Sequence, residues 1–444
     1  MMLPTIWQND AFRTFLKETG YTKFQWNDGL KDYLVFILSA SPYLTLNDLL
    51  KLYYNTYGTW EIQFTPDDLF ILGQYGLWWD ASSTNYITQD SAGTIPVTIA
   101  TDPVGSMIDR SGNGNDGIQA TTSLKPLYQT TPSRIVFDKV DDQLSTTLSS
   151  EINGTLMMST AQGIIHCEIS VPLGVYTIPS IASRFTGNNF IQLILRDGAL
   201  SVSEEIFIKD YLGNGIYTPV GSLRNGFAAR SDITKIYASN WVMQSVTDLQ
   251  SFISFMPNLT FIDCSEWDIS SVTTLSGFST NSAKLEVLNT ANWSTNLVSR
   301  IDGFTDGCSK LTQLDVRNWN VSLVTNADFF IRNCPLLTSL DLSNWELDSL
   351  LTASAFADGC SSLNTVIVDT TFSNNICDDY ENAFRGCALN QDSVDAILVS
   401  INNAGTSNGI LGIQGGTNAT PSIIGQVATD ALRTRGWTVT LNGY

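Results

Sequence analysis

Few residues in this chain have types and spacings that could do chemistry, and the clearest such group is an acidic loop. The segment "DRSGNGND" sets Asp109, Ser111 and Asn113 at alternate positions ahead of Gly114, which is the first half of a calcium-binding loop. The twelfth position of that loop, where a bidentate Glu would close the site, is Ala120. A calcium site here would need Asp141 or Asp142 to complete it, whereas a Gly-Asn turn between two strands needs nothing further.

Catalytic chemistry has less to draw on. The single histidine, His166, stands in the strand-like "GIIHCEISV" and reads as structural. We read no GxSxG nucleophile elbow, no HExxH zinc motif and no GK[ST] phosphate loop in the chain. Adjacent acids such as Glu204-Glu205 and Asp378-Asp379 point apart on an extended chain. Glycosidase carboxylates must instead converge to about 5–9.5 Å. The expectation is therefore a non-enzyme. A capsule-degrading depolymerase would require two acids distant in sequence to meet in the fold.

The elements that would position a binding group are far more legible. Trp241, Trp267, Trp293, Trp319 and Trp345 recur every 26 residues. Leu259, Leu285, Leu311, Leu337 and Leu363 recur at the same interval, as do Phe252, Phe278, Phe304, Phe330 and Phe356, and then Cys308, Cys334 and Cys360. The unit reads LxxLxLxxW, a Val or Leu, a Phe, and a Cys, and a fixed period of this length is the signature of stacked repeats. In such a unit the ninth position turns inward, so Trp345 should pack with Leu337, Leu340 and Leu342. An inward indole would stack on its equivalents about 4.8 Å along the array. The Phe column is expected on the inner face of a return helix, with the Cys column beside it.

The outward columns of the strands then carry the information about binding. They are Lys235, Phe261, Val287, Gln313 and Ser339; Tyr237, Asp263, Asn289, Asp315 and Asp341; and Ser239, Ser265, Ala291, Arg317 and Ser343. From these the candidate binding face is Tyr237, Phe261, Asp263, Asn289, Gln313, Asp315, Arg317, Ser339, Asp341 and Ser343. Short polar, acidic and aromatic groups suit a saccharide- or protein-binding face, and a merely solvated sheet looks the same.

Composition narrows the class of partner. The 444 residues predict three or four domains, at about 100–200 residues each. Charged residues make up 15% of the chain, against about 25% in ordinary domains, so its polar surface must be built from Ser, Thr, Asn and Gln. Forty-three acids against 23 bases give a net charge of −20, which repels nucleic acid backbones. No run approaches the roughly 18 apolar residues of a membrane span, and the start, "MMLPTIWQNDAFRTF", lacks the pattern of a cleaved signal. Seven cysteines with no CxxC pair are expected as buried free thiols.

The predicted organisation is multidomain. Residues 1–64 repeat "NDAFRTFL", "NDGLKDYL" and "NDLLKLYY", three short capped helices packing through Phe12, Phe15, Leu30, Tyr33, Leu50 and Tyr53. Residues 65–225 show short alternating runs such as "RIVFDKV" and predict a β-sandwich. Residues 226–388 hold the 26-residue repeats. Residues 389–444 predict an α/β cap with helices through Val394–Ile401 and Ser422–Gly436, and strands pairing Ile413 with Val439, again 26 apart.

Four resemblances bear on function. "LWWDAS", "DRSGNGNDG" and "VFDKVDDQLS", in that order, resemble the concanavalin-type or laminin-G-like jelly roll of phage virion proteins. The LxxLxLxxW unit resembles leucine-rich repeats of the bacterial-surface-protein (BspA-like) type, and "DSVDAILVSINNAGTSNGILGIQGGTN" leading to "RGWTV" resembles a C-terminal segment of phage tail and fibre proteins. The jelly-roll and tail resemblances, with a like resemblance of the Asn-Asp helical repeats at the start to phage-associated segments, imply a bacteriophage virion protein assembled in the host cytoplasm. Its helical N-terminus would dock on other virion proteins, its jelly roll would serve as spacer or lectin-like module, and its repeats would meet a bacterial surface glycan or protein. A fibre role would favour a homotrimer. A head or tail decoration protein, purely structural, is the main alternative.

Overall fold

The computed structural model describes residues 75–444 except 131–132, 137–143, 161–162, 179–188, 198–218, 220, 240 and 370–375. The three N-terminal helices expected over residues 1–64 lie outside the described residues. What is described is predominantly β-structure in several sheets with two α-helices.

Eleven strands come first: β1 (Gly76–Asp80), β2 (Ile87–Thr88), β3 (Ser106–Met107), β4 (Gly117–Ile118), β5 (Leu127–Thr130), β6 (Ser133–Val136), β7 (Leu144–Leu148), β8 (Ile152–Thr160), β9 (Gly163–Val171), β10 (Gly174–Ile178) and β11 (Asn189–Asp197). One antiparallel sheet runs β9-β8-β11-β6-β5 with β1 also on β11, and a second runs β10-β7-β4-β3-β2. Alternation makes this possible. Leu77 and Trp79 of β1 join Leu156, Met158, Ile165 and Cys167 in the same core as Met107, Leu144, Leu148 and Tyr176 of the second sheet.

The repeats follow as β12 (Gly221–Ser222), β13 (Ile233–Tyr237), β14 (Val246–Asp248), β15 (Phe261–Asp263), β16 (Val287–Leu288), β17 (Gln313–Leu314), β18 (Ser339–Leu342), β19 (Thr365–Val368) and β20 (Asp379–Tyr380). Strands β13, β15, β16 and β17 pair in parallel with each residue opposite the one 26 later, as Ile236, Ile262, Leu288 and Leu314 show. β18 and β19 form a second such pair. A further parallel line of bridges runs along the other side of the rungs, from Asp248 through Thr274, Arg300, Asn326 and Thr352 to Asp379.

The return segments differ from expectation. No helix occurs among the described residues from 221 to 390. Alternate amides instead reach the neighbouring rung, as Leu249 N to Thr274 O, Ser251 N to Ser276 O and Ile253 N to Phe278 O, while those between close turns on their own rung, as Phe252 N to Leu249 O. The geometry needs a positive φ every fourth residue, and Ser251, Phe255, Gly277, Asn281, Gly303, Gly307, Phe329, Asn333, Ala355 and Gly359 supply it. Gly and Asn, which hold most of these sites, are poor helix formers and tolerate that conformation best.

Sandwich and repeats are joined by a shared sheet. β9 pairs antiparallel with β13, setting Cys167 opposite Ile236 and His166 opposite Tyr237, so ten strands form one sheet from the sandwich to the repeats. The strand that would otherwise be an open edge of the first rung is thereby covered. Beneath the joint lies the buried Arg230, ion-paired to Asp232 and facing Tyr176 of β10 and Cys167 of β9. Burial pushes the Cys167 thiol and the Tyr176 phenol well above their ordinary values.

At the far end, α1 (Gln391–Ala404) is capped by Asn390, whose side chain accepts from Ser393 N, and closes at Gly405 with φ 77°. Ser393 Oγ in turn accepts from Val366 N of β19 at 2.9 Å, tying the helix to the last outer strand. After α1 come β21 (Ile410–Gly412), α2 (Ile423–Thr434) and β22 (Thr438–Thr440). β20, β21 and β22 are parallel neighbours that prolong the line of bridges past Thr352. Leu411 pairs with Val439, a step of 28 and not the 26 expected from Ile413, because a full helix and its caps have replaced the return turns.

Candidate binding face

The interior of the rungs determines what is left outside. Trp267, Trp293, Trp319 and Trp345 are buried and stack face to face, with centroids 6.0, 6.1 and 6.4 Å apart and planes within 10°. Phe278, Phe304, Phe330 and Phe356 stack beside them and meet the indoles edge-on, as Phe304 meets Trp319 at 5.0 Å and 81°. Each indole N–H donates to a backbone carbonyl of the rung before it: Trp267 to Ala238, Trp293 to Cys264, Trp319 to Thr290 and Trp345 to Val316. Sequence reasoning places the indoles inward but misses this bond, although an Asn at the ninth position of related repeats makes the same kind of contact.

The cysteine column behaves alike. Cys308, Cys334, Cys360 and Cys387 are free and buried, and each thiol reaches a carbonyl of the preceding rung at 2.9–3.2 Å. Ser282 occupies the same place one rung earlier and donates to Ile253 O. Burial pushes the Cys308 and Cys360 thiols up to about 12.

All ten candidate face residues lie on the outward side of the strand segments, at alternate positions to the buried Ile236, Ile262, Leu288, Leu314, Leu340 and Leu342. Asn289, Gln313, Arg317 and Ser339 are exposed; Tyr237, Phe261, Asp263, Asp315, Asp341 and Ser343 are partly so. Charges pair along the columns, with Arg317 bonded to Asp315 at 3.1 Å and 3.9 Å from Asp341. Asp263 accepts from Ser265, and Asp341 accepts from Ser343 N, so the acids fold back on local donors.

At the joint this face gains residues that no repeat periodicity could reveal. The β9–β13 pairing brings His166 onto Tyr237, with rings stacked at 4.6 Å, and Phe261 follows at 6.3 Å. The Tyr237 hydroxyl donates to Glu168, which Lys235 also pairs at 2.9 Å. Burial works to raise the Glu168 carboxyl, yet the Tyr237 hydroxyl and Lys235 ammonium outweigh it and leave it below the usual carboxylate range. The result is a short aromatic row flanked by one fixed ion pair.

The acidic loop forms a turn. Asp109 accepts from Trp78 N, Ser111 N, Ser111 Oγ and Asn115 N, all within 2.9 Å, so its carboxylate oxygens are already engaged by the protein. Asn115 seals the loop from below by donating to Gly76 O, and the Trp79 indole donates to Asn115 O. Asn113 bonds to Ser111 Oγ. Asp141 and Asp142 lie outside the described residues, and among those described no group of three or more His, Cys, Asp or Glu is placed to hold a metal ion.

One motif that sequence reasoning misses stands in the sequence itself. Gly405-Thr406-Ser407-Asn408-Gly409 has the GxSxG form of a hydrolase nucleophile turn. Here it follows α1 and precedes β21, the reverse of the strand-turn-helix order that exposes such a serine on an elbow. The pentapeptide is the cap and exit of α1.

Residues 221–303, 247–371 and 275–396 match a family model described as "Mycoplasma protein of unknown function, DUF285". The similarity falls on the 26-residue rungs and stops short of the sandwich and α2. No curated protein and no solved structure matches the chain. Among the described residues no helix is long and apolar enough to cross a membrane.

Proposed function

We propose that this chain is a non-catalytic attachment protein whose outward strand face, headed by Tyr237 and Phe261 with the buried His166 stacked against Tyr237, binds a bacterial surface glycan or protein. The observation that carries the reading is the segregation within each rung. The repeating Trp, Phe and Cys columns are locked inside, so the partly exposed rings of Tyr237 and Phe261, with the exposed Val287 beside them, form the apolar start of an outward face whose neighbouring columns are mainly polar. Aromatic side chains of this kind supply contact area at little entropic cost. The similarity to a repeat family supports a repeat protein and carries no activity with it.

The jelly-roll and tail-fibre resemblances of the sequence add the setting: a virion appendage, with the N-terminal segment toward the particle and the rungs toward the host. Binding of the labelled full chain to host cells tests the reading. The double variant Tyr237→Ala/Phe261→Ala should lose most of the retained protein while keeping the parental melting temperature. Equal retention of parent and variant would overturn the assignment to this face, and retention of neither would assign the chain to a purely structural role in the particle.

A further inference from the structure

Just past the strand ends, where each rung turns from its Trp into the return, the surface opens into a cleft of about 320 Å³. Its walls are Asn318, Asn320 and Ser322 on one rung and Asn344 and Glu346 on the next, with the buried Trp319 and Val321 as floor. The position 26 after Trp345 is Thr371, so this is the last rung interface bounded by two indoles.

Two of the amides are held ready and two polar groups are uncommitted. Asn320 Oδ1 accepts from Ser322 N and Ser322 Oγ, and its Nδ2 donates to Asn296 Oδ1 at 2.9 Å, which fixes its plane. Asn318 Nδ2 reaches Ala291 O at 3.4 Å. The Asn344 amide and the Glu346 carboxylate make no hydrogen bond to the described residues. A carboxamide donates and accepts from one plane, which is the pattern a pair of neighbouring hydroxyls requires. Successive rungs repeat at about 4.8 Å, a step comparable to that of sugar units along a polysaccharide.

We propose that this cleft is a binding subsite for a neutral saccharide, with Asn318 and Asn344 bonding sugar hydroxyls from adjacent rungs and Asn320 with Ser322 closing one wall. Charge sets the class. No Lys or Arg lines the cleft, Glu346 does, and the chain as a whole carries −20, so acidic sugars, phosphates and nucleic acids are repelled. The site shares no lining residue with the Tyr237–Phe261 row and does not depend on it. It deepens the attachment reading by naming a ligand chemistry.

The test uses the full chain with maltohexaose, cellohexaose and chitohexaose as neutral probes, oligogalacturonate as the acidic probe, and tetralysine as a cationic peptide, followed by saturation-transfer NMR and calorimetry. At least one neutral hexasaccharide should bind, and Asn318→Ala/Asn344→Ala should weaken it by about tenfold or more, the loss expected for two hydrogen bonds. Glu346→Gln should keep that affinity and reduce the discrimination against oligogalacturonate. The Tyr237→Ala/Phe261→Ala variant should bind the hexasaccharide as the parent does, which separates this site from the strand face. No response to any neutral probe, a response that the double Asn variant leaves unchanged, or binding of tetralysine in place of the sugars would overturn the proposal.

Discussion

Replacing Trp319 by Ala probes the load on the indole column most directly. The side chain is 1% exposed, lies between Trp293 at 6.1 Å and Trp345 at 6.4 Å, and meets Phe304 and Phe330 edge-on at 5.0 and 6.1 Å. Truncating a buried Trp to Ala costs about 3–5 kcal/mol. The upper end applies here because the neighbouring rings are held by their own rungs and cannot collapse into the void. The lost indole bond adds little, since Thr290 O keeps the Trp293 N–H. Trp319→Phe keeps a ring in the stack and should cost less than half as much. Native-state hydrogen exchange of the rung amides is the suitable assay, because a multidomain chain does not unfold in a single step. A loss of about 3–5 kcal/mol would accelerate exchange of those amides by roughly two to four orders of magnitude, while Asp341→Ala, on the outer face, should change it by less than about threefold. A Trp319→Ala protein with exchange within about tenfold of the parent and impaired host binding would show that the indoles act as ligands and not as packing.

Other expectations follow from the same structure. Gly307→Ala places a methyl 2.4 Å from Asn281 Oδ1 at a φ of 77°, and should destabilise the rungs by about 1–3 kcal/mol; Gly386→Ala, whose nearest neighbours are at 3.7 Å, should show only the smaller backbone cost by the same hydrogen-exchange measurement. The buried thiols impose an alkaline limit. Cys308 and Cys360 are raised from 9.0 to about 12, so the folded state disfavours the thiolate. Their contribution is complete below pH 9 and declines as pH rises toward 12. Cys308→Ser, which repeats the Ser282 already present one rung earlier in that column, should therefore show a shallower loss of stability from pH 9 to about 11 in parallel denaturation curves. Native protein should also resist iodoacetamide at about pH 8 and react at all seven cysteines once unfolded, as mass spectrometry would record. Removing the Arg230 guanidinium by Arg230→Ala leaves Asp232 unpaired at the joint and should cost about 3–5 kcal/mol, seen as faster exchange in β9 and β13.

How much the sequence determines divides along the difference between local and distant relations. Period is a local property, so the 26-residue spacing of Trp, Leu, Phe and Cys is enough to place the indoles inside, the outward columns outside, and the parallel register of Ile236, Ile262, Leu288 and Leu314. Alternating runs likewise indicate the sandwich, and capped apolar stripes indicate α1 and α2. The return segments escape such a reading because their Phe and Cys spacing fits a helix as well as a run of turns. The deciding signal is the positive φ demanded at sites such as Gly277, Asn281, Gly303 and Gly307, where bonds to the next rung replace bonds within a helix. Only the tertiary structure could bring β9 onto β13, because antiparallel pairing between segments far apart in the chain leaves no periodic trace in the sequence. That pairing joins His166 and Glu168 to Tyr237 and Lys235, makes the sandwich the cap of the first rung, and sets the lone, buried histidine as the support against which Tyr237 of the candidate face stacks.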